Sequence, residues 1–450
     1  MKIKFLGASG TVTGSSYVLE SGSGKTAILI DLGMFQGPHE IEKYNHEPFD
    51  YNGSKLTAVI LTHAHLDHCG RLPILNRLGF KGNIYMTPPT KDLVELTLMD
   101  TVKIAKEEQS QSLYDLQDVL SISKNFVTID YHQEIHIGDF LVKLYDAGHI
   151  LGSSSIEIID NSATSENRKI IFSGDIGNFP AFLEEKTEFL SSGDIVVMES
   201  TYGDRLHPNE LVAEAVRAEI NAVEATSGTL LIPTFSLDRA QELLHLIGHL
   251  KREGKILPET PVILDSPMAE KATKIYVDYP KLFNDHIEED YKKGELFDFA
   301  GLEVTKNWKE SQKIHERNEA KVIIAGSGMM VGGRIVGHAQ HYLPFSSTRL
   351  MIVGYQGDGT LGRELLNGAK TVFINNQRVE VKASVHDSQG MSSHADQKQL
   401  MEWLKNIKSV KKLFLTHGDD EARKVLSEKI ASDLNIKDIV LPKFNDLVEF

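Results

Sequence analysis

The densest chemistry in this 450-residue sequence is Thr62-His63-Ala64-His65-Leu66-Asp67-His68, where four potential metal ligands fall within six residues. Imidazole nitrogen and carboxylate oxygen together suit zinc, with manganese or iron as weaker alternatives. An apolar run at 56–62 precedes the cluster and helical periodicity at 67–78 follows it. The cluster therefore stands where a strand ends and a helix begins, a framing that an accidental group of loop histidines would lack. Side chains alternate along a strand, so His63 and His65 project to the same side, while Asp67 and His68 turn into the first helical turn and can face a second ion. Four ligands close only one tetrahedral site, and open catalytic sites need further ligands from elsewhere. Asp31, His149, Asp175 and His417 each stand just past an apolar run, the position where layered folds collect active-site residues. Singly, each would read as a turn residue or a helix start. With the histidine cluster they read as one site.

Elements of two different rhythms must carry these residues. Up to residue 199 the chain shows short apolar or β-branched runs, at 2–6, 16–19, 27–31, 56–62, 127–129, 141–146, 155–159 and 169–173, with one long helical stretch at 90–117. Gly/Ser clusters separate the early runs, and the polar segment 161–167 reads as a hairpin turn. Gly22-Ser23-Gly24-Lys25-Thr26 is also a hairpin turn and not a phosphate loop, because Leu19 stands where the first glycine of that pattern belongs. After a strand at 195–199 the rhythm changes to helix 209–225, strand Thr229–Pro233, helix 237–252 and strand 261–264, and it continues through Lys321–Ala325, 349–354 and 361–366. Such alternation means βαβ units and a largely parallel sheet. A β-rich stretch at 371–381 then leads to a last helix, strand and helix ending near 433. One domain interrupted by another is the expected plan.

Composition narrows the class. Hydrophobic residues at 41% and charged residues at 25% are the balance of a soluble globular protein. No stretch reaches the ~18 uninterrupted apolar residues of a spanning helix, and the first residues do not read as a secretory signal. The single cysteine, Cys69, excludes an intrachain disulfide and makes the cytoplasm the expected compartment. Net charge is −15, which argues against a surface that binds polyanions everywhere but leaves room for a local positive cleft.

His-x-His-x-Asp-His, with Asp31, His149 and Asp175 in this order, resembles the metallo-β-lactamase superfamily. Glu199 in Glu-Ser-Thr-Tyr-Gly, His394 in Met-Ser-Ser-His-Ala-Asp and His417 in Leu-Thr-His-Gly-Asp resemble the three further motifs of its β-CASP branch. The resemblance implies an α/β fold: an αββα sandwich with an inserted β-CASP domain on a mainly parallel sheet. The expected segments are 1–203, 204–370 for the insertion, and 371–450 for the return. It also implies two zinc ions, one on His63, His65 and His149, the other on Asp67, His68 and His417, with Asp175 bridging and Asp31 orienting a ligand from behind. Asp67 and Asp175 would share catalysis with His394, a general acid whose protonated form Glu199 maintains. The implied activity is hydrolysis of single-stranded RNA, with a histidine at the last motif favouring RNA over DNA. A small-ester or thioester hydrolase, a DNA nuclease and a non-catalytic RNA-processing subunit are the rivals. The expected partner is the RNA, with no membrane and with a homodimer as one admissible assembly.

Away from this site, Ala325-Gly326-Ser327-Gly328-Met329-Met330-Val331-Gly332-Gly333-Arg334 lies between a strand and a helix. Backbone amides there can cradle phosphate and Arg334 can add a bidentate donor; a purely structural glycine turn is the competitor. Ser327, Gly328 and Arg334, with Ser236 and Arg239 at a similar strand-to-helix turn, are the expected RNA-backbone contacts. Cys69 reads as a small buried helix residue, and the acidic run 285–290 as a solvated face. Of the remaining histidines, His338 and His341 stand out because they share the helix after the glycine turn.

Overall fold

Alternating burial along single strands shows how the first part of the molecule is layered. In Ile195–Met198, Ile195 and Val197 enter one apolar cluster while Val196 and Met198 enter another. Lys412–Leu415 repeats the pattern, with Phe414 on one side and Leu413 and Leu415 on the other. Strands buried on both faces lie inside a stack. The structure, a computed structural model, describes residues 1–107, 112–162, 168–179, 183–184, 187–208, 211–284, 287–357 and 359–450. They form two compact units: residues 1–206 with 394–450, and residues 207–393.

The first unit contains two seven-stranded sheets. One runs Leu447–Glu449, Lys2–Phe5, Tyr17–Glu20, Ala27–Ile30, Ala58–Ile60, Asn83–Met86, Phe126–Thr128, antiparallel up to Ala27–Ile30 and parallel beyond it. The other runs Ile439–Val440, Lys412–Leu415, Ile195–Met198, Lys169–Phe172, Ser154–Asp160, Phe140–Asp146, Ile135–Ile137. Ile3, Phe5, Ile28 and Ile60 of the first sheet share a core with Phe140, Ile156, Phe172 and Phe414 of the second, so the sheets pack face to face. Outside the second sheet the helices Gln397–Asn406 and Asp420–Asp433 bury Trp403, Leu404, Leu426 and Ile430. Helix Pro88–Glu107 buries Leu93, Val94 and Leu98 and packs on strand Phe126–Thr128 of the other sheet. The result is a helix–sheet–sheet–helix sandwich.

The second unit is built on six parallel strands in the order Leu302–Val304, Val262–Asp265, Lys321–Ala325, Thr229–Pro233, Thr348–Ile352, Ser384–Asp387. Helices such as Arg239–Arg252, Pro267–Val277 and Gly333–Tyr342 connect them. Residues 371–393 belong to this unit. The antiparallel hairpin Thr371–Ile374/Gln377–Glu380 contributes Val372, Ile374 and Val379 to its core, and Ser384–Asp387 extends its sheet. The chain therefore returns to the sandwich at His394, not at 371.

Local breaks also differ from the periodicity. The helix expected at 67–78 is a short helix, Leu66–Cys69, followed by a 3-10 turn, Leu72–Asn76, with Pro73 in its first positions; proline has no N–H to continue the earlier ladder. The stretch 90–117 begins earlier, in helix Pro88–Glu107; its residues 108–111 lie outside the described residues, and Leu116–Ile122 is a separate helix opened by the capping box of Asp115 and Asp118. Residues 163–167 of the expected polar turn, and residues 285 and 286 of the acidic run, lie outside the described residues. No helix among the described residues is long and apolar enough to cross a membrane.

Candidate metal centre

The cluster residues follow strand Ala58–Ile60, with His65 at the N-cap of Leu66–Cys69. Close approach of the backbone makes this possible: a Cβ at Gly33 would stand 1.5 Å from the Asp67 carbonyl oxygen, and one at Gly177 1.8 Å from that of Gly148, beside His149. Two of the contributing residues, Asp31 (φ 57°) and His417 (φ 48°), occupy left-handed backbone conformations, which non-glycine residues adopt chiefly where surrounding structure holds them.

His63, His65, His149 and Asp175 present one ligand atom each to a common point, and Asp67, His68 and His417 do the same beside them. In the first set the separations are 3.2 Å for His63–His65, 3.1 Å for His65–His149, 3.5 Å for His63–Asp175 and 3.6 Å for His149–Asp175. In the second, His68 Nε2 and His417 Nε2 are 3.2 Å apart, His417 Nε2 is 3.3 Å from Asp67, and His68 Nε2 is 3.3 Å from Asp175 Oδ2. A tetrahedral ion with nitrogen ligands at about 2.0–2.1 Å sets its ligand atoms about 3.3 Å apart, so both sets have the spacing of a metal's coordination shell. Asp175 touches both, with Oδ1 3.7 Å from His417 Nε2. That Oδ1 is buried with no hydrogen-bond partner, an arrangement that is costly unless a cation takes its lone pair. The residues present fit metal ions.

Hydrogen bonds behind the ligands fix their tautomers. Asp31, 1% exposed, accepts from the Thr62 N–H at 2.8 Å and the Thr62 hydroxyl at 2.9 Å. Its Oδ2 also faces His68 Nδ1 at 2.7 Å, which puts the His68 hydrogen on Nδ1 and leaves Nε2 as ligand. Thr201 Oγ1 does the corresponding work at His417 Nδ1, 3.1 Å away. The Ser153 hydroxyl accepts from the His149 N–H at 3.0 Å and steadies that loop. Burial, with neighbouring histidines, holds His63 well below its ordinary value, and burial pushes His65 down to about 4. Both rings are neutral near pH 7, the form a metal requires. Asp175 resists the upward push of burial: His417, His68 and His63 hold its carboxyl well below the usual range.

His394 stands next to this assembly. Its Nδ1 lies 3.2 Å from Glu199 Oε1 and its Nε2 4.0 Å from Asp175 Oδ2. Glu199 is 1% exposed and is held by the Ile176 N–H at 2.7 Å and the Thr201 N–H at 3.2 Å. Burial pulls the His394 pKa down, but the Glu199 charge and hydrogen bond, with Asp175, more than reverse this and raise it to about 9. Capping of the following helix is done by Asp396, in a capping box with Gln399, which leaves the His394 imidazole to the site. His65, Asp67 and His394 are the partly exposed members, so the centre opens to solvent on their side.

Residues 9–186 match the metallo-beta-lactamase superfamily, 240–365 the Beta-Casp domain, and 378–442 the Zn-dependent metallo-hydrolase RNA specificity domain. A relative from Thermus thermophilus, named Ribonuclease TTHA0252, is 35% identical over 99% of this chain and 99% of its own. The chain belongs to the β-CASP family of metallo-β-lactamase-fold nucleases. The Transcription termination factor FttA of Pyrococcus horikoshii is 33% identical over 88% of this chain, which spans only 63% of that longer protein. An RNase J-like protein of Methanocaldococcus jannaschii is 30% identical over 93% of this chain and 92% of its own. A crystal structure of a protein of unknown function from Enterococcus faecalis shares the fold, with a TM-score of 0.56 and 12% identity over 99% of both chains. Membership and the ligand sets make the protein a metal-dependent hydrolase.

In the β-CASP unit the expected phosphate donors have other partners. Arg334 donates to buried Asp265 and, at 2.8 Å, to Thr305. Arg239 is 6% exposed and ion-paired with Glu242. Each guanidinium compensates a buried carboxylate, and neither has the exposure expected of a phosphate-facing side chain. Ser236 Oγ lies 3.1 Å from Ser266 Oγ, and Ser327 and Gly328 follow strand Lys321–Ala325 as expected. Cys69 is buried, its thiol on the Ala64 carbonyl at 3.4 Å. The sequence reading missed Thr62, Thr201 and Ser153, whose hydroxyls act through ligands distant in sequence or too common locally to stand out.

Proposed function

We propose that this chain is a zinc-dependent ribonuclease that hydrolyses phosphodiester bonds of single-stranded RNA. The convergence of two ligand sets on Asp175 carries the reading. His63, His65 and His149 would hold one zinc ion, and Asp67, His68 and His417 the second, with Asp175 bridging. Zinc bound there would supply Lewis acidity, lowering the pKa of water and neutralising charge on the scissile phosphate. Asp31 and Thr201 keep the lone pairs of His68 and His417 turned inward. With Nδ1 engaged by Glu199, His394 holds a proton at Nε2 and delivers it to the leaving oxygen. RNA as substrate is supported by relatives named as a ribonuclease and a transcription termination factor. One cysteine, buried and reduced, suits a cytoplasmic location.

The test is cleavage of end-labelled single-stranded RNA, with matched DNA, by zinc-loaded protein and its Asp175→Ala variant. RNA cleavage by the wild type, with bound zinc and turnover both lost in the variant, is the expected outcome. Comparing 5′- and 3′-labelled substrate separates internal from terminal cutting. Cleavage of DNA alone, or of small esters with RNA untouched, would overturn the proposal in favour of another hydrolase on this scaffold.

A further inference from the structure

The β-CASP unit holds a second histidine group that the metal centre does not use. Asp265 ends strand Val262–Asp265 with its side chain fully buried. It accepts from Thr305, from Ser311 at 2.6 Å, from Arg334 and from His338 Nε2 at 2.7 Å. With its hydrogen on Nε2, His338 has only Nδ1 left to accept, and His315 Nε2 lies 3.0 Å from it. Donors therefore run from His315 to His338 to Asp265, and His315 keeps a lone pair on Nδ1. The His315 ring lies flat on His341, with centroids 4.2 Å apart and planes at 5°.

This stacked pair lines an open groove of about 490 Å³, within the size range of small-molecule sites. Trp308, also in its lining, leaves 56% of its surface exposed, a large aromatic face offered to solvent. Side-chain amides join it: Gln340 donates to Gln377 at 2.8 Å and accepts from Asn375 at 2.9 Å, so their orientation is fixed. Arg378 and Glu380 both line the groove, and Glu380 is paired with Lys382 at 3.0 Å, so Arg378 is the cation of the lining.

We propose that this groove binds a single base of a single-stranded RNA, stacked on Trp308 and the His315–His341 pair, with its edge met by the side-chain amides and its phosphate by Arg378. Every base has a face that can stack on an aromatic ring, and such sites tolerate sequence while a cation tracks the backbone. The groove would grip RNA at a nucleotide other than the one being cut. This inference rests on the RNA reading above, and all its residues lie in the inserted unit.

Tryptophan fluorescence tests it directly, because Trp403 is fully buried and Trp308 is the exposed one of the two. Zinc-loaded protein is titrated with 5′-AMP and with oligoadenylate of about ten nucleotides in its 2′-O-methyl form, and cleavage of unmodified RNA is measured on the same preparation. Saturable quenching is expected, weakened at least about fivefold in Arg378→Ala and in His341→Ala, with KM for long RNA raised and kcat unchanged. Quenching without any RNA cleavage would support the groove while counting against the nuclease reading alone. Cleavage without saturable quenching, or quenching indifferent to both substitutions, would overturn the groove and leave the nuclease reading in place.

Discussion

In the proposed mechanism His394 separates catalysis from metal binding at the scale of one residue. Its Nδ1 is taken by Glu199 and its Nε2 is 4.0 Å from Asp175 Oδ2, further than His63 at 3.5 Å or His149 at 3.6 Å. His394→Ala should retain the wild-type metal content, as read by elemental analysis, and turn RNA over at least ~100-fold more slowly, the usual loss for a general acid. Loss of metal in that variant would instead make the imidazole a ligand. The residues of this centre differ in how openly the sequence displays them. His63, His65, Asp67 and His68 fall within six residues, between strand Ala58–Ile60 and the end of helix Leu66–Cys69, so the sequence displays them together. Asp31, His149, Asp175 and His417 show only as polar residues after apolar strands. Their convergence comes from sheet order, and the left-handed backbone of Asp31 and His417 has no local signature. Thr62 and Thr201 were not legible at all, since a threonine hydroxyl becomes informative only when the imidazole it faces is known.

Between elements, the tightest fit is the one that brings the Asp31 turn against the helix carrying Asp67. Gly33 leaves no room for a Cβ beside the Asp67 carbonyl, and both partners are backbone, which cannot rotate away. Gly33→Ala should lower unfolding stability by at least about 2 kcal/mol in a denaturant titration and reduce metal content with it. A variant of wild-type stability with full metal would show that the turn can shift. The inserted unit has its own knot in Asp265, which joins Thr305, helix Trp308–Lys313 through Ser311, and helix Gly333–Tyr342 through Arg334 and His338. Burial alone would raise this carboxyl, but hydrogen bonds from His338, Ser311 and Thr305 hold it down to about 2. A group depressed from 3.8 stabilises the fold above its unfolded pKa and loses that contribution as pH falls from about 4 towards 2, about 2 kcal/mol in all. Asp265→Asn should flatten the acid limb of the unfolding curve over that window, and an unchanged limb would remove Asp265 from its causes. Central strands such as Thr229–Pro233 and Lys321–Ala325 are continuous apolar runs and were legible. Three edge strands were not: Ile135–Ile137, Leu302–Val304 and Leu447–Glu449 are three residues long and partly exposed, whereas Phe126–Thr128, equally short and also at an edge, does show as an apolar run.

For the whole molecule the governing tension is between a net charge of −15 and a polyanionic substrate. Long-range repulsion is screened by salt, so on its own it would make RNA affinity rise with ionic strength. Close contacts act oppositely, because each phosphate neutralised by a cation releases condensed counterions and affinity falls as salt is added. Metal charge at the centre and the Arg378 guanidinium would be short-range charges, felt only once RNA is docked, whereas the acidic surface acts across a Debye length of about 10 Å at 0.1 M salt. Release should therefore govern the equilibrium, and repulsion chiefly the approach. Binding of uncleavable single-stranded RNA to zinc-loaded protein should weaken from ~50 to ~200 mM salt, with a log–log slope of about −0.7 per phosphate contacted. Stripping the metals leaves the carboxylates of Asp67 and Asp175 unmasked, and the slope should become shallower as well as the binding weaker. Affinity indifferent to salt in the loaded protein would mean that no phosphate is held by a fixed charge, and that RNA is not what this centre grips.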